Sequence, residues 1–83
     1  MSTSKEQEII ITPKQCRAAR ELLGWKQIDL AEASGIGIAT IADFERESRE
    51  PIKRTLKEIR RTFEEAKIKF INENGIGVKL KDK

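Results

Sequence analysis

The chain has no histidine and no tyrosine, and only one cysteine, one tryptophan, one methionine and two prolines among its 83 residues. Each scarcity removes a class of function. Without histidine there is no imidazole nucleophile, general base or metal ligand. A lone Cys16 cannot form a disulfide within the chain, and with no secretory pattern the expected compartment is a reducing cytoplasm. No apolar run approaches the roughly 20 residues that span a bilayer, so no membrane association is expected. A glycine loop of the phosphate-cradling kind is missing, and the carboxylates are scattered over charged stretches without a paired acid and base. The chain is therefore not expected to be an enzyme, nor to need a metal or other cofactor.

Charge, in contrast, is plentiful. Charged residues make up 37% of the sequence, 17 basic against 14 acidic, for a net charge of +3. Such an excess permits nucleic-acid binding without arguing for it. Position says more. Arg46, Arg49, Lys53, Arg54, Lys57, Arg60 and Arg61 follow one another closely. They read either as phosphate contacts or as a solvated helix face interleaved with Glu47, Glu50 and Glu58. Of these, Arg46, Arg49 and Arg54 are the favoured contacts. A chain of this length makes one domain with a small core.

The local patterns predict mostly helix. Residues 1–8 are polar and are expected to be a disordered terminus. Residues 9–11, three isoleucines, predict an extended arm or a strand added to a C-terminal pair. Thr12-Pro13 is a good helix opening, so a first helix is expected over 13–23, stopped by Gly24. In it Cys16, Ala19 and Leu23 fall at helical spacing, which makes Cys16 a small core residue in preference to a redox switch. Trp25 reads as a corner packing residue before a base-stacking one. Further on, Thr55 with Glu58 forms a capping-box pattern, and Leu56, Ile59, Phe63 and Ala66 recur helically, so a helix is expected over 55–67. Residues 67–71 and 78–81 alternate charged and apolar around a turn-rich 72–77, a β-hairpin signal. An isolated hairpin is marginal in water. It needs the helical body, the isoleucine run or a second copy of the chain.

The richest stretch is 22–45, LLGWKQIDLAEASGIGIATIADFE. It predicts two short helices, 27–34 and 37–47, joined by a tight turn at Gly35. Ile41 and Phe44 lie three apart on one face of the second helix. Its other face carries Ala39, Ala42, Asp43 and Arg46, with Ile38 at the edge. One face packs and the other is free, as when a recognition helix is presented to the major groove of duplex DNA. The bland alternative is an ordinary helical hairpin in a small bundle.

This constellation resembles the Cro and phage-repressor family of helix-turn-helix proteins, the XRE family. Arg20, Leu23-Gly24-Trp25, Gln27, Leu30-Ala31, Gly35-Ile36, Thr40-Ile41 and Phe44-Glu45 carry the resemblance, which covers about residues 12–66. It implies a mainly α fold, a four-to-five-helix repressor-like DNA-binding domain (12–67) with a C-terminal β-hairpin (68–83) and an N-terminal arm (1–11). Gln27 is then the residue whose side chain and backbone N–H meet a phosphate at a helix N-terminus. Arg20 and Glu45 are the family's internal ion pair, although by charge alone they read equally well as unrelated surface groups.

Two departures from the family matter. Lys26 and Gly37 stand where Ser, Thr or Asn usually cap the two helices; Lys26 is available to contact phosphate directly. The groove-facing set Ile38, Ala39, Thr40, Ala42 and Asp43 also contains no Arg, Lys, Gln or Asn, the residues that make bidentate base contacts. Readout would then rest on thymine methyls, a threonine hydroxyl, an aspartate accepting from cytosine, and DNA shape. The expected function is that of a bacterial or phage transcriptional regulator, a repressor, binding double-stranded DNA as a homodimer paired through the hairpin, alone or with the helix over 55–67. The rivals are an antitoxin of a toxin–antitoxin pair and a protein-interaction module that has lost DNA binding, each with a protein partner.

Overall fold

The computed structural model describes residues 9–71 and 77–81; the expectations for 1–8 and for most of the turn stretch lie outside them. Four helices come first, α1 (Pro13–Leu23), α2 (Gln27–Ser34), α3 (Ile38–Glu45) and α4 (Lys53–Glu65). Two antiparallel strands follow, β1 (Ile68–Ile71) and β2 (Gly77–Leu80). The architecture is the mainly helical one with a C-terminal hairpin that the sequence predicts.

Helix α1 is capped reciprocally. The Thr12 hydroxyl accepts from the Gln15 N–H at 3.0 Å, and Gln15 Oε1 accepts from the Thr12 N–H at 3.0 Å. Its end, like that of α2, is set by a glycine in the left-handed region: Gly24 at φ 72 and Gly35 at φ 78. Nothing lies within 4 Å of a Cβ built at either position. Backbone conformation alone therefore selects glycine there.

The last two helices differ in their bounds from expectation, lying over 38–45 and 53–65 where the sequence predicts 37–47 and 55–67. Helix α3 stops at Glu45, two residues early, because Glu47 turns to φ 64. The backbone N–H and hydroxyl of Ser48 then fold back onto the Asp43 carbonyl, at 3.0 and 3.2 Å. Helix α4 begins at Lys53 with Ile52 as its cap, so the Thr55–Glu58 pattern does not start it. The earlier start lets Leu56, a core residue, bond its N–H to the Ile52 carbonyl (3.1 Å) within the first turn. Lys67, at φ 76, separates α4 from β1.

The core comprises Ile11, Cys16, Ala19, Leu30, Ile41, Phe44, Leu56, Ile59, Phe63 and Ile68. Trp25 stacks on Phe63 with centroids 6.0 Å apart, and Phe63 meets Phe70 edge-on at 6.4 Å. Trp25 is thus a packing residue, and so is the fully buried Cys16. Residues 9–11 do not join the sheet, which has two strands. Ile11 enters the core instead, and the Ile10 carbonyl accepts from Arg60 at 2.8 Å. The same guanidinium lies 4.6 Å from the Phe70 ring and pairs with Glu64. Arg60 thereby fastens arm, α4 and hairpin together. The hairpin rests on its own chain: Ile68 is buried, Phe70 and Val78 pack against the core, and the Gly77 carbonyl accepts from Gln15 at 3.4 Å.

Candidate nucleic-acid interface

The turn between α2 and α3 is held by one serine. Ser34 Oγ donates to the Leu30 carbonyl at 2.7 Å and accepts from the Ile36 N–H at 3.1 Å. Ile36 packs against the core, so the turn is fixed from both sides. Helix α3 then buries Ile41, Phe44 and Glu45. Its opposite side carries the expected set: Ile38 and Ala39 are exposed, while Thr40, Ala42 and Asp43 are half-buried. Gly37 is the exposed cap of α3, and Lys26 the exposed cap of α2.

Lysine offers no side-chain acceptor, yet α2 is not uncapped. Asp29 reaches back and accepts from the Lys26 N–H at 2.7 Å. This half of a capping box was readable in the sequence as an acid at the third helical position, and the reading of Lys26 alone overlooked it.

Glu45 is the hub of a buried polar network. It is 4% exposed. Arg20 Nε donates to Glu45 Oε2 and Arg20 Nη2 to Oε1, each at 2.7 Å. Gln27 Nε2 donates to Oε1 at 3.0 Å and Cys16 Sγ to Oε2 at 3.1 Å. Arg20 Nη1 also reaches the Trp25 carbonyl (3.1 Å), and Arg17 donates to the backbone carbonyl of Glu45. Burial by itself would raise the Glu45 pKa. The hydrogen bonds from Arg20, Gln27 and Cys16 outweigh it and hold the carboxyl below its ordinary value. The hydrogen bond to Glu45 raises the Arg20 pKa in turn. Burial, then the bond to Glu45, pushes the Cys16 thiol well above the usual thiol range. A thiol that stays protonated remains a donor.

The ambiguity over Arg20 and Glu45 is thus resolved as an ion pair, and a fork-to-carboxylate one. It joins α1 to the end of α3 and, through Gln27, to the start of α2. Arg17 was not singled out in the sequence. Its signal is weak but present: it precedes Arg20 by three, and so shares its helical face.

The remaining residues expected at the site divide. Asp43 is engaged by Arg46 Nη2 at 2.5 Å, an exposed pair within one helical turn. Arg49 is exposed beside Glu47 and Glu50, in a groove shared with the arm at residues 9–13. Arg54 is exposed on α4. Neither Arg49 nor Arg54 has an ion pair among the described residues, whereas Arg61 is held by Glu58 and Glu65.

A short helix, a glycine turn and a second helix with one face buried and one free define a helix-turn-helix protein. A family model for the helix-turn-helix matches residues 17–66, more than half of the chain. The chain belongs to this XRE-type family of DNA-binding regulators. No curated protein matches it. Among the described residues, no helix is long and apolar enough to cross a membrane.

Proposed function

We propose that the protein binds a specific double-stranded DNA operator and represses transcription by occupying it. Helix α3 enters the major groove, with Ile38, Ala39, Thr40 and Ala42 against the base edges and Gly37 allowing close approach. Lys26, Arg46, Arg49 and Arg54 neutralise phosphates. Gln27 spends one amide hydrogen on Glu45. It keeps a second, together with its backbone N–H at the start of α2, for a phosphate. Asp43 contacts a base only after parting from Arg46. The observation that carries the reading is the rigid mounting of α3: a buried, fully paired network behind it and a free face in front.

Two copies pair along a strand edge of the hairpin, with the exposed Leu80 on the face it shares with Ile68 offering apolar surface beside it. Each copy takes one half-site, about one helical turn from the other. Selection of enriched sequences from random duplexes, repeated at about 50 and 200 mM salt, tests the proposal. An enriched two-fold symmetric site with salt-sensitive affinity is expected. Absence of binding at low salt overturns it.

A second reading has its own support. Ile28 and Ile38 are each 44% exposed, and the free face of α3 lacks the usual base-reading residues. Those features suit a protein partner, and failure to bind DNA would bring that role forward.

A further inference from the structure

The hairpin sets lysine against lysine. Its register places Lys69 directly opposite Lys79. The ladder continues one rung, because the Lys81 N–H donates to the Lys67 carbonyl at 2.7 Å, so Lys67 stands opposite Lys81. Strand residues alternate between faces. Ile68, Phe70 and Val78 turn to the core, which puts Lys69 and Lys79 on the outer face. All four lysines are exposed, and none has an ion pair among the described residues.

Such an arrangement is costly. Like charges directly opposite in an antiparallel pair destabilise it, and the hairpin has only four residues per strand. Among the described residues Arg20, Arg46, Arg60 and Arg61 each pair with a carboxylate, whereas these four lysines, like Arg49 and Arg54, pair with none. An unneutralised ladder of lysines is complementary to a continuous line of negative charge. Duplex DNA provides one, with a charge about every 1.7 Å of helix axis. Lysine suits it as a compact point charge on a flexible stem, demanding no fixed geometry.

We infer that the outer face of the hairpin is a second DNA contact, in which Lys67, Lys69, Lys79 and Lys81 bind the phosphate backbone outside the segment read by α3. The inference rests on the DNA-binding reading above. It gives the hairpin a task on its outer face, separate from pairing of two chains along a strand edge. The contact is independent of sequence and adds affinity and salt dependence without specificity.

Two variants test it, K69Q/K79Q and K69E, against the unaltered protein on the enriched duplex and on one extended by random flanks. For K69Q/K79Q the slope of log affinity against log salt is expected to fall by roughly 2, near 0.9 per lost phosphate contact. Site preference is expected to stay as it was. K69E faces a glutamate to Lys79, so it is expected to unfold at a higher temperature and yet to bind DNA more weakly. Loss only on the extended duplex assigns the contact to the flanks, and loss on the short duplex with the α3 footprint unchanged assigns it to phosphates beside the bases α3 reads; either supports the inference. An unchanged slope for both variants, with a folded protein and an intact α3 footprint, overturns it. Self-association of K69Q/K79Q with unchanged DNA binding overturns it too, and assigns the lysines to keeping strand edges apart. If the unaltered protein binds no duplex at all, the operator reading falls first and this contact with it.

Discussion

The two sides of α3 are built on opposite plans. The inner side is dense and specified: Ile41, Phe44 and Glu45 are at most 4% exposed, and every buried side-chain polar atom among the described residues has a partner. The outer side is sparse. Ile38, Ala39 and Ala42 contribute no hydrogen-bonding side chain, Thr40 contributes one hydroxyl, and Asp43 is already engaged by Arg46. The contrast teaches that this helix is constrained far more in where it sits than in what its outer face presents. Its position rests on a buried carboxylate held by Arg20, Gln27 and Cys16. Its outer surface is small and smooth.

The comparison breaks most severely through Arg20. Arg20→Met leaves the Glu45 carboxylate buried without its ionic partner, and stability in urea is expected to fall by about 3–5 kcal/mol. Phe44→Ala empties the same inner side and is expected to cost about 3–5 kcal/mol in the same measurement. Acid supplies a third route. The folded-state pKa of Glu45 lies below its ordinary 4.5, so its contribution is fully present above that value. It is lost as pH falls through the lower folded pKa. Unfolding followed from pH 6 downwards should show that decline, and Glu45→Gln, already destabilised, should show a flatter one.

On the outer side the effects shift from folding to binding. Ile38→Ala and Thr40→Ala are expected to change stability by less than about 0.5 kcal/mol. Each is expected to lower affinity for the enriched duplex by about tenfold, or 1.4 kcal/mol, as measured by fluorescence anisotropy. Arg54→Ala is expected to weaken all duplexes alike and to reduce the salt slope by about 1. The smallest effect belongs to Asp43→Ala. Its exposed pair with Arg46 is worth about 0–1 kcal/mol to the fold, and freeing Arg46 should tighten binding to random duplex slightly. Should Ile38→Ala unfold the protein, or Arg20→Met leave it intact, the distinction between the two sides would collapse.

Much of this was legible in the sequence because the signals are local. Thr12-Pro13 opens α1, Gly24 and Gly35 end α1 and α2, and Leu56, Ile59 and Phe63 recur at helical spacing. Where two local signals competed, the reading slipped. Thr55 and Glu58 form a capping box on paper, but Leu56 must enter the core, and the chain coils from Lys53 to bring it there. For residues 9–11, read as either an arm or a strand, Arg60 and the core decide for the arm.

The sequence by itself determined the class of this protein: helix periodicity and glycine turns are written residue by residue, and together they suffice for a helix-turn-helix. The tertiary structure decided which charges are structural and which are free. Arginine and glutamate look alike in composition whether they meet in the core or in water. Only the packing of α1 against α3 makes Arg20 and Glu45 a buried pair, and only the pairing of β1 with β2 sets Lys69 against Lys79. Both are contacts between residues distant in the chain, and their energies depend on the separation and solvent exposure that folding alone sets.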